Sequence, residues 1–161
     1  MANETDQVIE VNLGFRPEAA ISGAVLIQSD YSTFLTFKAM GLETDGIHYT
    51  GIGFALLEFN RCILTRFGYP NDEALPGHPL YAKGIADYVM CEVLNSSWID
   101  QIAEQNRVAF PTFNYVDRSR HFVFIFHDST FECIADGFTS EVFDGPYEQL
   151  FARISQRIRS G

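Results

Sequence analysis

The sequence predicts an α+β fold: an antiparallel sheet of about six to eight strands, built from hairpins, with two helices packed on one face. Three observations lead to this prediction. Several short segments alternate apolar and polar residues, as strands with one buried face do. Most of these segments are joined by short polar breaks, which suit antiparallel neighbours. The last segment instead repeats its apolar residues at helical spacing.

The composition indicates a single domain over residues 1–161, with residues 1–6 disordered. A chain of 161 residues is of ordinary single-domain length. Apolar residues make up 47% of it and aromatic residues 14%, including 15 phenylalanines, so a large core is available. The first six residues are polar and have no periodicity, which favours disorder there.

The net charge argues against two classes of partner. The chain carries 11 Lys and Arg against 21 Asp and Glu, a formal charge of −10. Such a surface repels the phosphates of nucleic acids and the anionic headgroups of membranes. We therefore expect no nucleic-acid or membrane partner.

The first third of the chain predicts strands. Residues 8–13 alternate weakly and suggest a first strand. Residues 24–28 and 33–37 flank a polar break that contains Asp and Ser, which favour turns, so they predict a hairpin. Residues 39–51 contain three glycines and several polar groups, and indicate a connecting loop.

Residues 52–67 fit two structures. As a helix, the segment places Glu58 and Arg61 on one face and ends at Gly68. As a hairpin, it turns at Asn60-Arg61 between two apolar runs, and its rhythm repeats that of residues 124–138. We favour the hairpin because of this repeated rhythm, and because glycines at the start of the segment do not suit a helix.

The middle of the chain combines a long connection with a strand and a helix. Residues 68–84 contain three prolines and three glycines, and long connections of this kind are often functional. Residues 88–94 predict a strand. Ser97 and Asp100 approximate a capping box at the start of a helix over residues 98–107.

The end of the chain gives the clearest helix. Asp144-Gly145-Pro146 suits a helix start, with proline in the first turn. The apolar residues that follow lie on one helical face, and arginines favour the negative end of the helix dipole. The residues of this apolar face are Tyr147, Leu150, Phe151, Ile154 and Ile158.

Residues 121–136 predict a hairpin that turns at Asp128-Ser129. This pairing sets apolar residues opposite one another on a buried face: Phe126 with Phe131, Phe124 with Cys133, and Phe122 with Ala135. The other face carries His127 and Glu132, close to the turn and within diagonal reach of each other.

These polar residues are the candidate site. We predict His127 as a general acid or base, Glu132 as the carboxylate that orients it, and His78 as a contribution from the 68–84 connection. The polar side chains nearby are predicted to bind a ligand. They are Asp128, Thr130, Asp72 and Tyr69.

No cofactor or metal is predicted. The sequence has no zinc-protease motif, phosphate-binding loop, dinucleotide fingerprint or nucleophile elbow. Cys62, Cys91 and Cys133 lie far apart and in apolar surroundings, so they form no metal or redox pair. There is no signal-peptide pattern and no apolar run of spanning length, so we expect a cytoplasmic location.

Three blocks resemble a bacterial family of uncharacterised proteins. They are GYPNDEAL with GHPLY at residues 68–81, EV with NSSWI at residues 92–99, and FHDSTFEC at residues 126–133. The resemblance covers residues 51–136 and implies no activity or catalytic residue. It implies only that the loop of His78 and the hairpin of His127 belong to one shared design.

The sequence leaves two functions open. The first, which we favour, is a domain that binds a small molecule or a partner protein, because no known catalytic motif is present. The second is a small hydrolase-like or lyase-like enzyme that uses His127, Glu132 and His78. A homodimer that covers leftover apolar surface is a further possibility.

Overall fold

A computed structural model describes residues 3–158. This part of the chain contains ten strands and two α-helices, and the α+β prediction is confirmed. In chain order they are β1 (Gln7–Glu10), β2 (Phe15–Pro17), β3 (Val25–Gln28), β4 (Thr33–Leu42), β5 (Tyr49–Asn60), β6 (Leu64–Gly68), β7 (Met90–Leu94), α1 (Ser97–Arg107), β8 (Arg120–Ile125), β9 (Thr130–Ala135), β10 (Gly137–Phe143) and α2 (Tyr147–Arg157).

The strands form two antiparallel sheets rather than one. The first sheet has the order β1-β7-β8-β9-β6. The second has the order β10-β5-β4-β2, and β3 also pairs with β4. Within residues 3–158 the chain crosses between the sheets three times: between β1 and β2, between β5 and β6, and between β9 and β10. Each sheet therefore combines strands that are distant in sequence.

The main core lies between the two sheets. Leu35, Phe37 and Leu57 of the second sheet pack with Phe122 and Phe124 of the first, and all five side chains are completely buried. Alternation along each strand sends every second side chain into this layer. The aromatic-rich composition therefore serves a sheet-on-sheet core.

The helices lie on opposite outer faces, which corrects the prediction that both pack on one face. Leu150 and Ile154 of α2 pack against Phe34 and Leu56 on the outer face of the second sheet. The outer face of the first sheet is covered by the 68–84 connection and by α1, whose Trp98 is buried. With two sheets, each outer face needs its own cover.

Residues 52–67 are strands, as favoured, but they are not a hairpin. β5 pairs with β4 and β10, whereas β6 pairs with β9 in the other sheet. Arg61 takes a left-handed conformation, with φ of 44°, where the chain changes sheets. Its guanidinium binds Asp136, where the chain crosses from β9 to β10.

The hairpin at residues 121–136 is confirmed, but its register differs by two residues from the predicted one. Phe126 N–H donates to the Ser129 carbonyl at 2.8 Å, so the loop includes Phe126 and His127. Phe124 then pairs with Phe131, and Phe122 with Cys133. A shift of two residues keeps each side chain on its predicted face but changes its neighbours.

The remaining differences are local. The loop predicted at 39–51 is shorter, because β4 continues to Leu42 and β5 begins at Tyr49. The α1 cap is Ser96, one residue before the predicted cap. Of residues 1–6, predicted to be disordered, the first two lie outside the described part of the chain, and Asp6 is buried and hydrogen-bonded to Ser97.

Between residues 3 and 158, no helix combines the length and the apolar character that a bilayer span requires.

Candidate functional site

A cavity of about 310 Å³ opens on the outer face of the first sheet. The sheet contributes Arg66, His121 and Glu132 to its wall, the connection contributes His78 to Leu80, and the start of α1 contributes Ser96 to Trp98. Its volume is at the lower end of the range for small-molecule sites. We call it the histidine cavity.

The strand register brings its sheet residues together. Glu132 of β9 lies opposite Arg66 of β6 on one side and opposite Val123 of β8 on the other. His121 lies two residues before Val123, on the same face of β8 and diagonal to Glu132. This face is covered by the connection and α1, so His121 and Glu132 are buried.

Glu132 joins two histidines. Its Oε1 lies 2.9 Å from His78 Nε2, and its Oε2 lies 2.8 Å from His121 Nε2. The side chains of His78, His121 and Glu132 are 7%, 3% and 9% exposed, respectively. One buried carboxylate therefore accepts hydrogen bonds from two buried imidazoles.

The second nitrogen of each imidazole is also occupied. Leu80 N–H donates to His78 Nδ1 at 3.1 Å, which places the His78 proton on Nε2. Ser96 Oγ lies 2.8 Å from His121 Nδ1 and accepts the Ile99 N–H at 3.3 Å as the helix cap. The Ser96 hydroxyl proton is thus free to point at His121 Nδ1, while His121 Nε2 donates to Glu132.

Glu132 is ionised in this arrangement. Burial opposes the charge, but hydrogen bonds from His121 and His78 outweigh it and lower the pKa of Glu132 to about 2. The network is therefore a buried carboxylate with its charge stabilised by the two histidines.

A second carboxylate closes one end of the cavity. Asp6 Oδ1 accepts the Ser97 N–H at 2.6 Å, and Asp6 Oδ2 accepts from Asn3 N–H at 2.6 Å and Ser97 Oγ at 2.8 Å. Burial raises the pKa of Asp6, but the hydrogen bonds from Ser97 and Asn3 make the net shift downward. Asp6 also lies at the N-terminus of α1, where the helix dipole stabilises a negative charge.

Arg66 is the cavity's cation without an acidic partner. Its guanidinium carbon lies 4.0 Å from the centroid of the Trp98 ring. Within residues 3–158 it makes no ion pair or hydrogen bond, whereas Asp6 and Glu132 are both fully engaged. Among these described residues, the cavity's free hydrogen-bond donors are therefore mainly the N–H groups of the Arg66 guanidinium, which lies over the Trp98 ring.

A separate histidine site lies at the loop between β8 and β9. His127 Nδ1 lies 2.7 Å from Asp72 Oδ2, which also accepts the Tyr88 hydroxyl at 2.6 Å. Asp72 raises the pKa of Tyr88 to about 12 and raises the pKa of His127. Tyr88 and His127 together lower the pKa of Asp72. The His127 side chain is 41% exposed. Its hydrogen bond to Asp72 links the start of the 68–84 connection to the loop between β8 and β9.

We expect the charge of His127 to depend on Asp72. An NMR titration of the His127 ring should give a pKa above the usual 6.5, because the carboxylate stabilises the charged imidazole. In Asp72→Asn this pKa should fall back towards 6.5. Since folding raises the pKa of His127 and lowers that of Asp72, the pair stabilises the fold most between the usual values of 3.8 and 6.5, and loses this contribution as the pH rises through the pKa of His127.

His127→Gln assigns the resonance, and the other three histidines are internal references in the same spectra. A His127 pKa that Asp72→Asn does not change would contradict the pairing.

The structure assembles only part of the predicted site. Glu132 and His78 are in contact, as their joint assignment to one site requires. His127 lies outside the histidine cavity and is bound by Asp72 instead of Glu132. The predicted group of three therefore divides between two sites.

The predicted binding residues also lie outside that cavity. Thr130 is buried and donates to the Pro70 carbonyl at 3.0 Å. The Asp128 side chain is 82% exposed, with Oδ1 4.0 Å from His127 Nε2. Tyr69 is 83% exposed on the connection. Asp72, the fourth, has the structural role described above.

Sequence reasoning missed His121, Ser96, Trp98 and Arg66. The shift in register explains His121, because a hairpin with a longer loop sets it diagonal to Glu132. Because side chains alternate along each strand, the sequence alone places His121 on the same face as Glu132, and this pattern could have identified His121 as a candidate. Nothing local in the sequence connects Ser96 or Arg66 to this face.

One further group has metal-type ligands. The side chains of Glu43, Asp45 and His48 place ligand atoms within 4.8 Å of one another at the turn between β4 and β5. All three are exposed, and the Asp45 carboxylate accepts the Ile47 and His48 N–H groups. These hydrogen bonds are those of an Asx-type turn, so a structural role explains the group.

Comparisons with protein-family models, with curated proteins and with solved structures found no match to this chain. The resemblance to a bacterial family therefore stays a prediction, and the function is argued from the site alone.

Proposed function

We propose that this protein binds a small molecule that carries a carboxylate group, and that the histidine cavity is its binding site. The observation that supports this proposal is the guanidinium of Arg66 at the cavity wall, which has no ion-pair or hydrogen-bond partner within residues 3–158. An arginine offers two parallel N–H donors that match the two oxygens of a carboxylate.

The other cavity groups favour a small monoanion with an apolar body. Trp98 and Leu80 give the wall apolar surface, and the exposed Gln101 adds an amide at its edge. Asp6 and Glu132 already hold their charge with internal donors, so they leave no need for a cationic ligand. Among the described residues that line the cavity, Arg66 is the one Lys or Arg, and the chain charge is −10, so a singly charged carboxylate fits better than a phosphate dianion.

Isothermal titration calorimetry against small carboxylates tests the proposal. Acetate, benzoate and phenylacetate are compared with their uncharged amides, which have nearly the same shape. We expect binding of at least one carboxylate but not of its amide. Arg66→Ala should weaken it by about 10-fold to 100-fold, the value of a charge-assisted hydrogen bond.

Arg16→Ala is the matched control. Arg16 is also exposed and stacked on an aromatic ring, 3.6 Å from the Tyr49 centroid, but it lies outside the histidine cavity. Its removal should leave carboxylate affinity unchanged. Equal binding by wild type and Arg66→Ala, or no heat from any carboxylate, would refute the proposal.

The alternative function, an enzyme that uses His127 as its acid or base, has no observation in its favour. Glu132, which was predicted to orient His127, contacts His78 and His121 rather than His127. A cytoplasmic location and a homodimer remain proposals from composition, and light scattering that reports a monomer at high concentration would remove the second.

A further inference from the structure

We infer that the histidine cavity contains a Ser96–His121–Glu132 triad whose Ser96 hydroxyl attacks small carboxylic esters. The inference rests on the proposed function only in taking the cavity as the ligand site. The carboxylate that Arg66 holds would then be the acid product of the ester.

The three groups are connected in the order that such chemistry needs. Ser96 Oγ lies 2.8 Å from His121 Nδ1, and His121 Nε2 lies 2.8 Å from Glu132 Oε2. The two nitrogens are exchanged relative to the usual serine-hydrolase triad, in which the serine contacts Nε2. Either imidazole nitrogen can accept a hydroxyl proton when the other nitrogen is protonated.

The positions of the protons also fit. Glu132 is an ionised acceptor, so it keeps the His121 proton on Nε2 and leaves Nδ1 as a base. The second oxygen of Glu132 is held by His78, which the Leu80 N–H fixes in one tautomer. His78 and Glu132 are positioning residues in this scheme, whereas His121 exchanges the proton.

The start of α1 provides a donor for the substrate. Ser96 caps this helix, and its Oγ accepts the Ile99 N–H, which stabilises negative charge on that oxygen. Ser97 N–H is bound to Asp6, and within residues 3–158 the Trp98 N–H is left without a partner. We assign it to the carbonyl oxygen of the ester, where charge develops during attack.

The reaction has two balanced steps. Ser96 Oγ bonds to the carbonyl carbon, its proton goes to His121 Nδ1, and the ester C–O bond breaks as the alcohol leaves with that proton. Water then attacks the acyl group on Ser96 and gives a proton to His121. The Ser96–acyl bond breaks, the acid is released, and Ser96 regains its proton.

An alkyl fluorophosphonate with an uncharged tail tests the nucleophile directly. Attack by Ser96 forms an Oγ–P bond, expels fluoride and sends the proton to His121. Intact-mass spectrometry of the full chain should show one phosphonyl adduct, and peptide mapping should place it on Ser96. Heat-denatured protein should not react.

Variants separate the roles. Ser96→Ala should give no adduct, and His121→Asn should react at least about 100-fold more slowly, because the base is lost. Glu132→Gln offers an amide N–H to His121 Nε2, which moves the His121 proton to Nδ1 and removes the base. It should slow labelling at least about tenfold while the circular dichroism spectrum is unchanged. Ser140→Ala removes an exposed strand serine outside the cavity and should label like wild type.

The outcomes are distinguishable from those of the carboxylate test. Labelled Ser96 without carboxylate binding keeps the triad and refutes the proposed function. The triad is overturned if carboxylates bind but the wild-type chain forms no adduct on Ser96, or if His121→Asn labels at the wild-type rate. Because the adduct is mapped on the wild-type chain, the first outcome does not depend on the folding of any variant.

Discussion

Glu132→Ala should lower the free energy of unfolding by about 3–5 kcal/mol, the range for removing one partner of a buried charged network. The substitution leaves His78 Nε2–H and His121 Nε2–H without an acceptor, in a place where both side chains are less than a tenth exposed. Urea denaturation followed by fluorescence of the single Trp98, which packs against His121, measures it.

Two other variants make this result specific. Glu132→Gln should cost clearly less than alanine, because its carbonyl can accept from His78 while His121 changes tautomer to accept from the amide. Glu141→Ala removes a carboxylate that is 41% exposed and paired with Arg153 and Arg157, and should cost at most about 1 kcal/mol. Equal losses for Glu132→Ala and Glu141→Ala would show that the buried network contributes no more than a surface pair.

The same carboxylate sets part of the acid stability. Its pKa falls from the usual 4.5 to about 2 on folding, which corresponds to about 3 kcal/mol. Because the folded pKa is lowered, this contribution is complete above pH 4.5 and is lost as the pH falls towards 2. Glu132→Gln should therefore remove part of the loss of stability seen between these two values.

The fold was predictable where one local signal decided it. The closing helix follows one apolar face, and the hairpin at residues 121–136 follows alternation with a turn between its strands. The rhythm shared with residues 124–138 also favoured strands correctly over a helix for residues 52–67. It does not say which strand is the partner: β5 and β6 pair in different sheets, and the Arg61–Asp136 ion pair lies at two of the crossings between those sheets.

The candidate site was only partly predictable for the same reason. Glu132 and His78 were chosen from residue type, and their contact spans 54 positions of sequence. The choice of His127 over His121 depended on the loop of the hairpin. A tighter turn brings His127 near Glu132, whereas the observed loop brings His121 there. Arg66 and Ser96 depend on pairing between distant segments, which a single sequence does not specify.

Phe59 should be the most costly single truncation in the core between the sheets. It extends from β5 of the second sheet and is 4% exposed. Its ring centroid lies 5.4 Å from that of Phe131 and 6.1 Å from that of Phe124, both in the first sheet. Phe138 of the neighbouring strand lies 5.4 Å away. One ring therefore connects both layers of this core.

Phe59→Ala should reduce the free energy of unfolding by about 3–5 kcal/mol, since it removes buried apolar surface and leaves a cavity among rigid rings. Phe113→Ala is the control, because Phe113 is 68% exposed and its loss should change stability by at most about 0.5 kcal/mol. Both values come from urea denaturation. A loss below about 1.5 kcal/mol for Phe59→Ala would mean that the sheets close over the gap, and that these rings do not hold the two layers at a fixed distance.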